Sequence, residues 1–112
     1  MKSLFHPTLD NITLEQILYA LSDPIRLTIF SRLFKLEEEK SCSYFDDLAK
    51  KNNLSHHYRI LRESGIIKVR IDGRHRYISL RADEIHLRFP DLFQTIYSSY
   101  TNSNNSSNSN II

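Results

Sequence analysis

Apolar residues occupy alternate positions from Ile67 to Ile71 and again at Ile78 and Leu80, whereas on either side they recur at intervals of three and four. The first period belongs to strands with one buried face and the second to amphipathic helices. The pattern therefore predicts a β-ribbon set among helices. Ile67, Val69 and Ile71 share one face of the ribbon and Lys68 and Arg70 the other; on the return strand Ile78 and Leu80 point inward, Tyr77 and Ser79 outward. A four-residue connection, Asp72-Gly73-Arg74-His75, sets Ile67 against Leu80 and Val69 against Ile78, so that apolar faces match.

The helical segments carry their own start and stop signals. Thr13-Leu14-Glu15-Gln16 has the form of a capping box, and Leu14, Ile17, Leu18 and Leu21 follow at helical spacing. Asp23-Pro24 restarts a helix, with Asp23 as cap and Pro24 where its missing N–H costs nothing. Ile25, Ile29 or Leu27, Phe30, Leu33 and Phe34 supply its buried face, and Glu37 to Lys40 reads as a solvated loop or fraying end. Ser43 is expected to cap a short helix from Tyr44 to Ala49 with Phe45 and Leu48 inward. Asn52 or Asn53 is expected to cap the next helix, which Gly65 ends. A last helix starts near Pro90, with Leu92, Phe93, Ile96, Tyr97 and Tyr100 apolar. From Thr101 the chain runs into polar amides and hydroxyls that cannot offset their ordering entropy, so residues 101–112 are expected to form a disordered tail. Residues 1–12 then form an N-terminal arm and 13–100 the folded unit.

At 112 residues the chain suffices for one domain with a modest core. No apolar run approaches the ~20 residues of a membrane span, the N-terminus has no secretory signal, and the single Cys42 fits a reducing cytoplasm. Charge is distributed unevenly. Residues 1–49 carry a net −3, residues 50–81 a net +7 and residues 82–112 a net −2, within a total of +2. A basic middle between acidic flanks points to a polyanionic partner.

That basic segment has the side chains to read duplex DNA. At about 100° per residue, Leu54, Tyr58 and Leu61 fall on one side of their helix, and Ser55, His56, Arg59, Arg62 and Glu63 on the other. A major groove about 12 Å wide admits one helix, whose first turns meet base edges. Ser55 and His56 occupy those turns. Lys51, Asn52 and Asn53 precede them, where side chains and free amides suit phosphate, and Arg59 and Arg62 reach a guanine edge or the backbone. Arg70, Arg74, His75 and Arg76 gather near the ribbon tip, suited to phosphates or the minor groove. His57, at the border of the apolar stripe, reads as structural. These elements make a mainly α fold with a small β-hairpin: a winged helix-turn-helix of about five helices and a two-stranded antiparallel wing.

Two stretches resemble the ArsR-type winged-helix repressors: Ala20 to Phe30, centred on Ser22-Asp23-Pro24-Ile25-Arg26-Leu27, and Leu54-Ser55-His56-His57-Tyr58-Arg59-Ile60-Leu61-Arg62-Glu63-Ser64-Gly65-Ile66-Ile67. The wing, with Asp72-Gly73-Arg74 and Tyr77, is similar too, and the resemblance spans Leu14 to Ile96. It implies a homodimer joined through the first and last helices, repressing transcription from operator DNA, with Ser55 and His56 at the bases. Metal sensing is not expected to carry over. Cys42 stands alone where a thiolate site needs two or more cysteines, and Asp83 and His86 lack the spacing of the family's last-helix site. Arg88-Phe89-Pro90-Asp91-Leu92-Phe93 resembles a non-metal-sensing branch, so no metal or cofactor is expected.

Two other classes compete. In a protein–protein assembly module the basic face would be incidental, against which the +7 segment and the placement of Ser55 and His56 argue. An enzyme fares worse: no Gly-rich phosphate loop is present, and His56 and His57 point about 100° apart and cannot chelate one metal together.

Overall fold

The computed structural model describes residues 4–106. In chain order the elements are α1 (Leu14–Ala20), α2 (Pro24–Leu36), β1 (Lys40–Ser41), α3 (Lys51–Glu63), β2 (Ile67–Asp72), β3 (His75–Leu80), α4 (Ala82–Arg88) and α5 (Leu92–Ser106), with 3-10 turns at Leu9–Asn11 and Cys42–Phe45. The core is shared by the helices and the inner face of the sheet: Ile17, Ile29, Phe30, Leu54, Leu61 and Ile78 are among its fully or nearly fully buried residues. Aromatic pairs seat α5 on α2, with ring centroids 4.9 Å apart for Phe30 and Phe93, edge to face, and 4.8 Å apart for the tilted rings of Phe34 and Tyr97.

Local signals operate where they were read. Thr13 Oγ1 accepts the Gln16 amide and Asp23 accepts those of Ile25 and Arg26, so α1 and α2 start as expected. The wing register pairs Ile67 with Leu80 and Val69 with Ile78. The ladder continues one pair further than expected, to Asp72 and His75, which shortens the connection to Gly73-Arg74; Gly73, at φ 62°, takes the left-handed position such a loop needs.

Several boundaries differ. The sheet has three strands in the order β1-β3-β2, because Lys40 and Ser41 pair with Ile78 and Tyr77 where a solvated loop was expected. Ser43 caps no helix; Ser41 accepts the Ser43 amide instead and starts the 3-10 turn. Neither Asn52 nor Asn53 caps α3, since the Lys50 carbonyl already takes the Leu54 amide at 2.9 Å and both asparagines lie inside the first turn. α4 fills a stretch left unassigned. α5 continues through Ser106 rather than ending before Thr101, whose hydroxyl donates back to the Tyr97 carbonyl at 2.9 Å and so is satisfied within the helix. The remainder of the expected tail, 107–112, lies outside the described residues.

The N-terminal arm is built into the fold. Pro7 and Ile12 are buried. Three arginines donate to its carbonyls: Arg62 to Phe5 (2.9 Å), Arg81 to Pro7 (2.8 Å) and Arg88 to Leu9 (2.6 Å). Gly65 turns the chain behind α3 at φ 88°, and a Cβ there would land on Cδ1 and Cγ1 of Ile12. The arm therefore packs into space that only a glycine leaves open.

Candidate nucleic-acid interface

α3 is held by its inner side. Leu54 and Leu61 enter the core, and Tyr58 donates its hydroxyl to the Cys42 carbonyl at 2.8 Å. His57 is buried, its Nδ1 lying 3.0 Å from Nη1 of the buried Arg26, whose Nε donates to the Ala20 carbonyl at 2.7 Å. Burial lowers the His57 pKa, only partly opposed by Asp23 at 3.8 Å, so the ring is neutral and accepts from Arg26. The middle of α3 is thereby tied to the junction of α1 and α2. Sequence reasoning gave His57 this structural role but missed Arg26. The missed signal was helical spacing, since Arg26 shares a face with Ile29, Phe30 and Leu33.

The outer side of α3 presents Lys51, Asn52, Asn53, Ser55, His56 and Arg59, all exposed. Arg59 Nη2 lies 3.4 Å from His56 Nδ1, a contact on the helix surface. Arg62 is half-buried, with one guanidinium nitrogen donating to the Phe5 carbonyl. At the wing tip Arg74, His75 and Arg76 are exposed. A cleft of about 450 Å³ separates wing from helix, and its walls include Lys51, Ser55 and Arg59 from α3 and Arg74, His75 and Arg76 from the wing. The structure thus brings most of the sequence-predicted residues to one side of the molecule.

Arg70 stands apart. Its guanidinium donates twice to Glu39, at 3.0 and 2.7 Å, and stacks over the Tyr77 ring at 4.6 Å. Its charge is answered within the protein, and the Glu39 carboxyl pKa is lowered by that hydrogen bond. Glu39 sits in the segment read as a solvated loop, so nothing in the local pattern announced this pair.

Cys42 is half-buried and its thiol is pushed up to about 11 by burial. Among the described residues no three His, Cys, Asp or Glu side chains gather as a metal set, and no helix is long and apolar enough to cross a membrane.

No family model matches the chain. It is 36% identical over 83 residues to the uncharacterized HTH-type transcriptional regulator YceK of Bacillus subtilis, spanning 72% of this chain and 83% of that one. Among solved structures it is similar to the transcriptional repressor BigR of Xylella fastidiosa, with a TM-score of 0.60 and 26% identity over 79% of this chain and 83% of that one. An ArsR family transcriptional regulator shares the fold at a TM-score of 0.58 and 17% identity, over 96% of this chain and all of that one (100%).

Proposed function

The chain belongs to the HTH-type transcriptional regulators and has the ArsR-type winged-helix fold, and from that premise we propose that it is a homodimeric repressor of a pseudo-palindromic operator. α3 enters the major groove, where Ser55 and His56 meet bases and Arg59 meets a guanine edge or the backbone. Lys51, Asn52 and Asn53 hold a phosphate at the start of α3. Arg74, His75 and Arg76 lie on the backbone or in the minor groove. The observation that carries this reading is the gathering of exposed Lys51, Arg59, Arg74 and Arg76 around one cleft between helix and wing. Arg62 can join them through its remaining N–H donors while one guanidinium nitrogen stays on the Phe5 carbonyl, and Arg70 has no part while Glu39 holds it.

The dimer forms through α1 and α5. Leu14 and Leu18, one helical turn apart on α1, are 40% and 49% exposed, outside the protein's own core. Sedimentation of the wild type and of Leu18→Glu tests this; a monomeric wild type rules the dimer out. Two copies then meet half-sites roughly 34 Å or a multiple apart. The protein acts in the cytoplasm, no catalytic step is involved, and the signal is not a metal held by thiolates; a zinc or arsenite titration that released DNA would contradict this last point.

The deciding experiment is fluorescence anisotropy against the protein's own upstream DNA and a shuffled duplex across a salt series. Tight, salt-steep binding that prefers the upstream duplex is expected. Ser55→Ala and His56→Ala should weaken that preference, whereas Lys51→Ala and Arg74→Ala should weaken both duplexes alike and lower the salt slope by about one each. Weak and equal binding to both duplexes would instead favour an assembly module.

A further inference from the structure

The cleft between α3 and the wing is more than a charged rim. Its lining includes Leu4, Cys42, Leu54, Tyr58 and Val69. The Tyr58 hydroxyl is already committed to the Cys42 carbonyl, which leaves the ring as the surface it offers. Around this apolar lining stand five cations, Lys51, Arg59, Arg62, Arg74 and Arg76, against one carboxylate, Asp46. Lys51, Arg74 and Arg76 make no ion pair or hydrogen bond among the contacts of the described residues. A DNA backbone is a polar ridge that calls for the rim and has no use for the apolar interior. The volume, about 450 Å³, lies within the range of small-molecule sites.

We propose that this cleft binds a small amphipathic anion, a carboxylate, sulfonate or phosphate ester on an aromatic or alkyl body, and that its occupancy excludes DNA. The apolar body packs on Leu4, Tyr58 and Val69, and the anionic head meets the guanidinium groups of Arg74 and Arg76. The arm contributes to the site: Leu4 lines it, and the Phe5 carbonyl holds Arg62 at its edge. Exclusion follows because Arg74 and Arg76 serve both ligands; this second half rests on the DNA-binding reading, whereas the site itself does not.

Anilinonaphthalene sulfonate is the test ligand, followed in the full chain by amide chemical shifts and by displacement of labelled duplex. Saturable one-to-one binding is expected, with shifts concentrated at Cys42, Leu54, Tyr58 and Val69. Loss of both arginines in Arg74→Ala/Arg76→Ala should lower affinity about tenfold or more, while neutral N-phenylnaphthylamine binds weakly and is indifferent to those changes. Sulfate alone should disturb the rim and leave the interior unchanged. Shifts centred on the exposed Leu14 and Leu18 of α1, or binding unaffected by the arginine substitutions, overturn the site. Binding in the cleft without release of duplex overturns exclusion. Binding in the cleft by a protein that holds no duplex upholds the site and removes the DNA reading instead.

Discussion

Replacing Gly65 with alanine should cost far more than a helix-ending glycine ordinarily does. The left-handed backbone, at φ 88°, penalises any Cβ by about 1 kcal/mol. Here the added methyl also overlaps the end of the fully buried Ile12 side chain. Overpacking of that kind costs about 1–3 kcal/mol, giving a sum of about 2–4 kcal/mol. Against a total stability on the order of 5–15 kcal/mol this is a large fraction. Urea unfolding followed by circular dichroism would show it as a lower midpoint at unchanged slope. The overlap component is separable. In an Ile12→Ala background, itself destabilised, the space is vacated and Gly65→Ala should cost only about 1 kcal/mol. An equal cost in both backgrounds would refute the reasoning, because the arm would then not occupy the site behind α3.

The remaining predictions concern charge and protonation. His6 donates from Nδ1 to the Leu4 carbonyl and accepts the Val69 amide at Nε2, each at 3.0 Å, an arrangement open only to the neutral ring. Burial, with Arg62, Arg81 and Lys68 nearby, lowers its pKa below 6.5 as burial lowers that of His57, so their stabilisation is present above that pH and is lost as the pH falls below it. A wild-type urea midpoint that stays flat across the imidazole range would refute this; in His6→Gln the acid-side loss should shrink. Arg70→Ala should leave the salt slope of DNA binding unchanged while Arg74→Ala lowers it by about one; equal slopes for the two variants would show that Glu39 does not withhold Arg70. Alkylation of Cys42 by iodoacetamide should be slow at neutral pH and rise about tenfold per pH unit toward about 11; a rate that levels off near neutrality would contradict its burial.

The sequence alone determined the recognition helix, the wing and its register, because these depend on interactions a few residues long. A helix needs its apolar stripe, and a hairpin needs matched faces and a glycine at its turn. It placed His57 among structural residues because its angle on α3 falls beside Leu54 and Leu61. It marked Ser55 and His56 as outward for the same reason, and set Lys51 just ahead of the helix and Arg74 and Arg76 near the ribbon tip. Only the tertiary structure decided which cationic side chains are tethered and which, among the described residues, are left without a partner. Arg62, Arg81 and Arg88 are drawn to backbone carbonyls of the arm, and carbonyls leave no trace in the pattern of side chains. Arg70 is claimed by Glu39, a partner 31 residues away. β1 shows the same limit: two residues, Lys40 and Ser41, have no period, and they become a strand because β3 offers a free edge to pair with. Local pattern fixes where a side chain points, but whether its charge is free depends on groups that chain folding brings from elsewhere.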